Sequence, residues 1–252
     1  MSDLLVVDRV SKSFKGLKAL DEISINIKPG HIYGIIGPNG SGKTTLFNII
    51  TGVLKPDSGQ VIFDGRRIDV LEPNSIYNLG ITRSFQLPTL WLNMSVAENL
   101  MLPPKQQVGE NLRKAFFKKA WETQDMQLSD MVWQTLETLK LKQVALNKSS
   151  EISGGQMKLI ELGRTMMSNP KLVLLDEPTA GVNPALALEI FKIIKEIKQS
   201  MGLTYVIIEH RYDMLFANAD YIYLLNEGKV VSEGSPEKVI NDPVLAEVYL
   251  GA

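Results

Sequence analysis

The sequence predicts an α/β fold that carries an antiparallel β subdomain and an inserted helical subdomain. The short apolar segment 32–36 (IYGII) has the character of a buried strand and runs directly into glycine and then into a helical pattern. Helical spacing with few β signals dominates the segment 86–150. Strand and helix patterns alternate again over 151–252, which is typical of α/β proteins. We therefore expect one domain over 1–252, in which 1–85 and 151–252 form the core and 86–150 is the insert.

The elements near the N-terminus are predicted from short apolar patterns and turn residues. Residues 4–10 and 23–27 have strand character, and a helix over 43–51 is stopped by Gly52. A Pro-Asp-Ser-Gly turn at 56–59 then leads into the strand QVIFDG. We expect these additional strands to form the antiparallel subdomain.

The elements of the second half are bounded by capping and turn residues. They are helix 154–168, strand 171–177, helix 184–200, strand 204–210 and a hairpin over 221–234. The hairpin turns at Glu227-Gly228, where glycine supplies the turn conformation. Ser235 and Pro236 then give a terminal helix its cap and its first residue.

The composition indicates a folded globular protein with no electrostatic preference for nucleic acid. The 252 residues are 44 % hydrophobic, which is enough for a substantial core. Lys and Arg number 27 against 28 Asp and Glu, so nucleic acid is unsupported as a partner. The absence of cysteine excludes disulfides and thiolate metal sites, and two histidines disfavour a histidine-based metal site. No apolar run approaches the ~18 residues of a membrane span, and no signal-peptide pattern precedes the fold, so we expect a cytoplasmic protein.

A glycine-rich motif follows the predicted strand 32–36. The segment GPNGSGKTT matches the pattern G-x-x-x-x-G-K-[ST] between a strand and a helix, which is the context of a phosphate-binding loop. Its backbone N–H groups converge on phosphate oxygens, the lysine reaches the β and γ phosphates, and the first threonine can bind Mg²⁺. A plain strand-to-helix turn needs neither that lysine nor that hydroxyl. The predicted ATP-binding residues are Gly37, Pro38, Asn39, Gly40, Ser41, Gly42, Lys43, Thr44 and Thr45.

Two acids end the apolar run LVLLDE. The run predicts a central parallel strand, and ligands of α/β sheets bind at the carboxyl ends of such strands. We expect Asp176 to hold Mg²⁺ together with Thr44, and Glu177 to orient or deprotonate the attacking water. Solvated charges at a strand end are the alternative, and the presence of a phosphate loop favours the functional interpretation.

The segment SGGQ lies immediately before a predicted helix. It therefore gives the chain a second helix N-terminus that can bind an anion, in addition to the one after the phosphate loop. A chain that already has one nucleotide loop can use a second if that loop binds the nucleotide of another subunit. The motifs GPNGSGKTT, ISGGQ and LVLLDEP, in this order and spacing, resemble the ATP-binding-cassette (ABC) ATPases over essentially the whole chain. The resemblance implies a phosphate-loop NTPase core and a dimer in which Ser153, Gly154, Gly155 and Gln156 close over the partner's ATP.

Three further positions match the pattern of that family. Gln86, at the start of the insert, corresponds to a glutamine that senses Mg²⁺ or the water and passes movement to a membrane partner. His210 corresponds to the switch histidine at the γ-phosphate, and Phe14 to the aromatic that stacks on adenine. Taken alone, these residues could be a loop amide, a satisfied histidine at a strand end and a core aromatic.

Two departures from the family pattern narrow the resemblance. Ile152 replaces the usual leucine before the signature serine, and Asn183 stands where many members have an aspartate at the dimer seam. The asparagine, the long insert and the ending DPVLAEVYLGA resemble the branched-chain (Liv-type) and related hydrophobic amino acid importer ATPases, although amide and urea importers share these features.

The resemblance implies a set of partners. These are ATP, Mg²⁺, a second ABC ATPase subunit in a homo- or heterodimer, transmembrane permease subunits and an extracytoplasmic solute-binding protein. It also implies a peripheral location on the cytoplasmic face of the cell membrane. The alternatives are a soluble ABC protein acting on ribosomes or DNA, which usually has two cassettes or a coiled-coil insert, and a small-molecule kinase, which has no use for SGGQ.

Overall fold

The computed structural model describes residues 3–84, 90–105, 107–108 and 118–250. Two sheets lie in this part of the chain. Their strands are β1 (Leu5–Phe14), β2 (Leu17–Ile27), β3 (Ile32–Ile36), β4 (Ser58–Phe63), β5 (Arg66–Arg67), β6 (Ile81–Arg83), β7 (Leu172–Asp176), β8 (Thr204–Ile208), β9 (Tyr221–Asn226) and β10 (Lys229–Gly234).

The larger sheet has the strand order β10-β9-β3-β8-β7-β6. Strand β3 pairs in parallel with β8 and β9, and β7 pairs in parallel with β6 and β8, whereas β10 is antiparallel to β9. All five residues of β3, of β7 and of β8 are buried, as their continuous apolar sequences require in a sheet covered on both faces. The carboxyl ends of these three strands therefore meet at one edge of the sheet.

The smaller sheet is antiparallel and has the order β2-β1-β4-β5. Strands β1 and β2 are longer than the predicted strands 4–10 and 23–27, because they continue to a tight turn at Lys15 and Gly16, where both φ angles are positive (46° and 88°). One buried cluster joins this sheet to the larger one through Leu46 and Phe47 of the helix that follows the phosphate loop. The antiparallel subdomain predicted from the sequence is thus present.

The helices cover the two faces of the larger sheet and form the helical segment. Their bounds are α1 (Lys43–Ile50), α2 (Pro73–Leu79), α3 (Val96–Met101), α4 (Lys118–Thr138), α5 (Gly154–Met167), α6 (Pro184–Met201), α7 (Tyr212–Asn218), α8 (Pro236–Ile240) and α9 (Pro243–Leu250), with single 3₁₀ turns at Lys142–Val144 and Ser149–Glu151. Within the described ranges, no helix combines the length and the apolar character needed to cross a membrane.

The predicted helical insert packs on α5. A Cβ atom at Gly163 of α5 would lie 2.6 Å from Leu139 Cδ1 and 3.1 Å from Leu100 Cδ2, so glycine is needed for the close approach of these elements. Leu100 and Leu136 belong to the same buried cluster as Leu175 of β7. The helical segment therefore shares its core with the sheet, and the boundaries at 86 and 150 remain a prediction.

Candidate functional site

The loop between β3 and α1 has a backbone that only glycine can adopt at two positions. Gly37 has a φ of 149°, and a Cβ atom there would lie 2.1 Å from the carbonyl oxygen of Leu225. Gly42, which precedes α1, has a φ of 102°, and its Cβ would lie 2.5 Å from the carbonyl oxygen of Ala19. The glycines of this motif thus permit close backbone approach, as a phosphate-binding loop requires.

Lys43 folds back over this loop. Its Nζ donates hydrogen bonds to the carbonyl oxygens of Gly37 at 2.7 Å and Pro38 at 2.9 Å, and its side chain is buried. Burial lowers the pKa of Lys43, whereas the nearby carboxylates of Glu177 and Asp176 act in the opposite direction. The ammonium group is therefore held by the loop, and both acids are close enough to favour its charged form. Of the other loop residues, Ser41 is buried, Pro38 and Thr45 are half-buried, and Asn39, Gly40 and Thr44 are exposed.

Asp176 forms a buried ion pair at the end of β7. Its Oδ2 accepts a hydrogen bond from Arg83 Nη2 at 2.7 Å, and Arg83 Nη1 donates to Asn48 Oδ1 at 2.6 Å. The guanidinium lies 5.4 Å from the ring centroid of Phe47 in α1. Arg83 therefore links the metal-binding candidate to the helix that follows the phosphate loop. Sequence reasoning missed Arg83, although its place just before the predicted glutamine loop was a signal.

Glu177 and His210 meet at the ends of the neighbouring strands β7 and β8. Glu177 Oε1 lies 3.0 Å from His210 Nε2. The backbone N–H of Glu177 donates to the carbonyl oxygen of Ile208 at 2.9 Å, and the φ of Glu177 is 51°, a left-handed conformation that is uncommon for a residue other than glycine. The structure thus brings together the predicted base and the predicted switch histidine.

The segment SGGQ forms the start of α5. Ser153 and Gln156 make a capping box, in which Ser153 Oγ accepts from Gln156 N at 3.3 Å and Gln156 Oε1 accepts from Ser153 N at 2.9 Å. A Cβ atom at Gly154 would meet no atom within 4 Å, whereas one at Gly155 would lie 2.4 Å from Leu186 Cδ2. Among the described residues, no hydrogen bond or ion pair joins this segment to the phosphate loop.

Comparison with known proteins identifies the family to which this site belongs. Residues 20–180 match the sequence profile described as ABC transporter, and this match includes the phosphate loop, the SGGQ segment and both acids after β7. The chain belongs to the ABC transporter family. The resemblance stated from the three motifs is therefore confirmed, and so is the predicted fold.

Relatives of this ABC transporter family member align over nearly the whole chain. A probable branched-chain amino acid transport ATP-binding protein, LivG, from Methanocaldococcus jannaschii is 42 % identical over 99 % of this chain and 98 % of the relative. A crystal structure described as the ADP conformation of an ATP-binding cassette of an ABC transporter is 40 % identical and covers 100 % of both chains, with a TM-score of 0.83. A dimeric structure of an ATP-binding cassette in a post-hydrolysis state, bound to ADP and Pi, is 26 % identical and covers 92 % of this chain and 98 % of the other, with a TM-score of 0.76.

The structure gives different information on the three remaining candidates, Phe14, Asn183 and Gln86. Phe14, the last residue of β1, is 42 % exposed, so it is not the core aromatic of the alternative interpretation. Asn183 caps α6, because its Oδ1 accepts a hydrogen bond from Leu186 N at 2.9 Å. Asparagine and aspartate serve equally well at such a cap, so the departure at 183 preserves the local fold. Gln86 lies outside the described residues, and its role remains a prediction.

Proposed function

We propose that this chain is the ATP-hydrolysing subunit of a membrane importer for branched-chain or other hydrophobic amino acids. The observation that carries the hydrolytic part is the meeting of Lys43, Asp176 and the Glu177–His210 pair at one edge of the parallel sheet. The solute class is supported by the full-length similarity to proteins named for branched-chain amino acid transport.

Binding of ATP is assigned to residues 37–45 and to Phe14. The loop provides backbone donors and the start of α1 for the phosphates, and Lys43 provides a positive charge within hydrogen-bond reach of the loop. The exposed ring of Phe14 offers a face on which adenine can stack. These two regions are the phosphate-binding and base-binding parts of the proposed site.

Hydrolysis is assigned to Glu177, His210 and Gln86. Glu177 accepts the proton of the attacking water, and its carboxylate is oriented by His210 at 3.0 Å. His210 is 42 % exposed on its side chain, so the imidazole is accessible to a γ-phosphate placed in the phosphate loop. Gln86 is assigned to the same reaction centre and to the metal from its place in the motif order.

The donor set near the loop suits Mg²⁺. Thr44 and Asp176 offer a hydroxyl and a carboxylate, the oxygen donors that Mg²⁺ prefers. The described residues contain no cluster of three or more His, Asp or Glu side chains able to hold a metal ion, and Mg²⁺ in nucleotide sites commonly relies on one or two protein ligands together with phosphate oxygens. When bound, Mg²⁺ would neutralise developing charge on the phosphates. Arg83 already neutralises one oxygen of Asp176.

The SGGQ segment supports a dimeric mechanism. Gly154 is exposed, and the space around its Cα is open, so a partner's γ-phosphate can approach the helix start. In the proposed cycle, ATP on one subunit is contacted by Ser153, Gly154 and Gly155 of the other, and hydrolysis removes those contacts. Either a second copy or a related ATPase subunit would serve as the partner.

A cleft beside β6 is the proposed docking place for permease subunits. It has a volume of about 490 Å³ and lies between the sheet edge at β6, the segments on either side of α3, and α5. Trp91 and Leu102 line it and are 61 % and 42 % exposed, so apolar surface is available to a membrane partner. We place the chain on the cytoplasmic face of the membrane, in a system that includes an extracytoplasmic solute-binding protein.

The substitution Glu177→Gln tests the proposed function. It keeps the shape of the side chain and removes the base, so ATP hydrolysis should fall by about 10²–10⁴-fold while ATP binding survives. In sedimentation, the variant should associate with its partner only when Mg-ATP is present, and Ser153→Ala in the same background should weaken that association. Hydrolysis at the parent rate would remove Glu177 from the mechanism. In vesicles with its permease partners, the parent chain should drive uptake of branched-chain amino acids, and uptake restricted to urea or amides would correct the solute class.

A further inference from the structure

Glu209 is a buried carboxylate directly beneath the proposed reaction centre. Its exposed fraction is 2 %, and it lies between the last residue of β8 and His210. No step of the proposed hydrolysis uses it. A buried carboxylate is costly unless hydrogen bonds satisfy it, so its contacts indicate its purpose.

Four donors satisfy the Glu209 carboxylate. Thr179 donates to Oε1 twice, from its backbone N–H at 2.8 Å and from its hydroxyl at 2.6 Å. The backbone N–H groups of His210 and Arg211 donate to Oε2 at 3.1 and 3.4 Å. One oxygen therefore holds the loop after β7, and the other holds the loop after β8.

These contacts close a ring of interactions around the reaction centre. Glu177 is two residues from Thr179, and its side chain contacts His210 at 3.0 Å. Thr179 contacts Glu209, which is bonded to His210 along the chain. The N–H of Glu177 also donates to the carbonyl oxygen of Ile208, which fixes the two strand ends relative to each other. Movement of either loop would thus change the separation of Glu177 and His210.

We infer that Glu209 is a positioning residue that holds Glu177 and His210 in hydrogen-bond contact by tying the loop 178–183 to the loop that carries the histidine. The inference rests on the proposed function, because it gives Glu209 its importance through that pair. Since the loop 178–183 leads to the cap of α6 at Asn183, a displacement of this loop by a partner subunit would reach His210 through Glu209.

Glu209→Gln is the main test. Glutamine has the same length but offers one acceptor oxygen, and its NH₂ group would face N–H donors on one of the two loops. Misplacement of reacting groups by about 1 Å can reduce rates by the order of 10²-fold, so kcat should fall by roughly 10–100-fold. The Kd for ATP, measured by titration without turnover, should stay within about twofold, because none of the four donors to Glu209 belongs to residues 37–45.

A matched control separates positioning from general stability. Asp69 is also a buried carboxylate, at 4 % exposure, and it accepts hydrogen bonds from Val61 N at 3.0 Å and from Arg67. It lies beside the antiparallel sheet and outside the proposed mechanism. Asp69→Asn should lower the melting temperature as Glu209→Gln does, yet leave kcat at the parent value well below that temperature.

Thr179 provides a second and milder perturbation if Glu209→Gln fails to fold. Thr179→Val removes the hydroxyl donor and keeps the shape and the backbone N–H, so kcat should fall less than in Glu209→Gln. Thr179→Ser restores the hydroxyl and should recover the parent kcat. In the double variant, Thr179→Val should add little to Glu209→Gln, because both act on one hydrogen-bonded unit.

Histidine resonances report the geometry directly. The sequence has two histidines, so ¹⁵N-histidine labelling gives one signal set for His210 and one for His31, which lies at the opposite end of β3. In Glu209→Gln and in Thr179→Val, the imidazole signals of His210 should move toward those of Glu177→Ala, and the signals of His31 should not move.

The outcomes distinguish this inference from the proposed function. A loss of kcat with retained ATP affinity and displaced His210 signals would support it. Parent kcat in Thr179→Val and Glu209→Gln, unmoved His210 signals, or a loss of kcat matched by Asp69→Asn would overturn it. If Glu177→Gln, measured alongside, loses hydrolysis in those cases, then the proposed function stands and only the role of Glu209 fails. If Glu177→Gln hydrolyses ATP at the parent rate, the proposed catalytic role of Glu177 fails, and the role of Glu209, which acts through Glu177, fails with it.

Discussion

Substitution of Gly154 by alanine should stabilise the isolated chain and abolish its ATP-driven association. Gly154 is the first residue of α5 and is exposed. A Cβ atom there meets nothing within 4 Å inside the chain, and its φ lies outside the left-handed region. The chain alone therefore has no steric reason to require glycine at this position. The proposed approach of a partner's γ-phosphate supplies such a reason.

The size of the two effects follows from these observations. Alanine is favoured over glycine in a helix by up to about 1 kcal/mol. For a chain of this size, ~1 kcal/mol corresponds to about 2–4 °C in Tm, so Gly154→Ala should raise Tm by a few degrees at most. Shifting closure from 1:99 to 99:1 needs about 5.5 kcal/mol shared by two ATP molecules. A methyl group that prevents the approach of the γ-phosphate removes about half of that free energy, roughly 2.7 kcal/mol, at each altered signature.

Gly155→Ala is the matched control of opposite sign. A Cβ atom there would lie 2.4 Å from Leu186 Cδ2, the end of a half-buried side chain that must shift to admit it, so the substitution should destabilise the chain by about 1 kcal/mol, the low end of the cost of overpacking. Leu186→Ala in the same background should relieve the clash. Comparing the two variants thus separates the packing within the chain, which limits the side chain at Gly155, from the approach of the partner's γ-phosphate, which limits it at Gly154.

The assay combines thermal unfolding with sedimentation. Unfolding of the single variant gives the change in Tm, and sedimentation of Glu177→Gln with and without Gly154→Ala gives the association in Mg-ATP. If the Gly154→Ala variant associates and hydrolyses ATP like the parent, the SGGQ segment does not close over a partner's nucleotide. If its Tm falls, the argument from open space at Gly154 is wrong.

Three further predictions concern single side chains. Lys43→Ala should weaken ATP binding in calorimetric titration while the far-UV circular dichroism stays that of the parent, because its ammonium contacts the loop and not the core; an unchanged titration would refute the assignment. Phe14→Ala should also weaken ATP binding. It should lower the free energy of unfolding by well under the ~3–5 kcal/mol lost with a buried phenylalanine, since the ring is 42 % exposed. A loss of that full size in denaturant unfolding would show that the ring packs in the core. Tyr205→Phe should stabilise the chain by about 1 kcal/mol, because burial raises the pKa of Tyr205 and keeps its hydroxyl neutral, yet that hydroxyl finds no hydrogen-bond partner within the described chain; a lower midpoint would show that the hydroxyl is satisfied.

Much of the parallel sheet follows from local sequence. Strands β3, β7 and β8 are continuous apolar runs between glycines, caps and charges, so their bounds agree with prediction to within two residues. Other elements have weaker signals. The first residues of β2 are exposed and of mixed polarity, so only its second half was recognised. Strand β6 has three residues, which is too short for any periodicity.

The candidate site likewise has some residues that the sequence predicts and others that only the tertiary structure shows. The phosphate loop, the two acids and the SGGQ segment are contiguous motifs, and their chemistry is visible without a fold. The pairing of Arg83 with Asp176 depends on β6 being the neighbour of β7. The sequences of these two strands do not predict that they are adjacent. Glu209 was predicted as part of a strand over 204–210. The strand ends at Ile208, and the carboxylate turns back to Thr179, a contact that only the tertiary structure reveals.

In the proposed cycle, the capping box of α5 would make closure of the dimer depend on the γ-phosphate. Ser153 Oγ donates to Gln156 Oε1 at 3.1 Å, so its proton is already engaged before any nucleotide arrives. Turning that proton toward a phosphate gives up a hydrogen bond worth on the order of 1 kcal/mol, a several-fold penalty. A γ-phosphate oxygen, being charged, offers a stronger bond than the amide and outweighs the loss. ADP has no γ-phosphate, so with ADP the proton would stay hydrogen-bonded to Gln156 Oε1 and Ser153 would contribute nothing to closure of the proposed dimer.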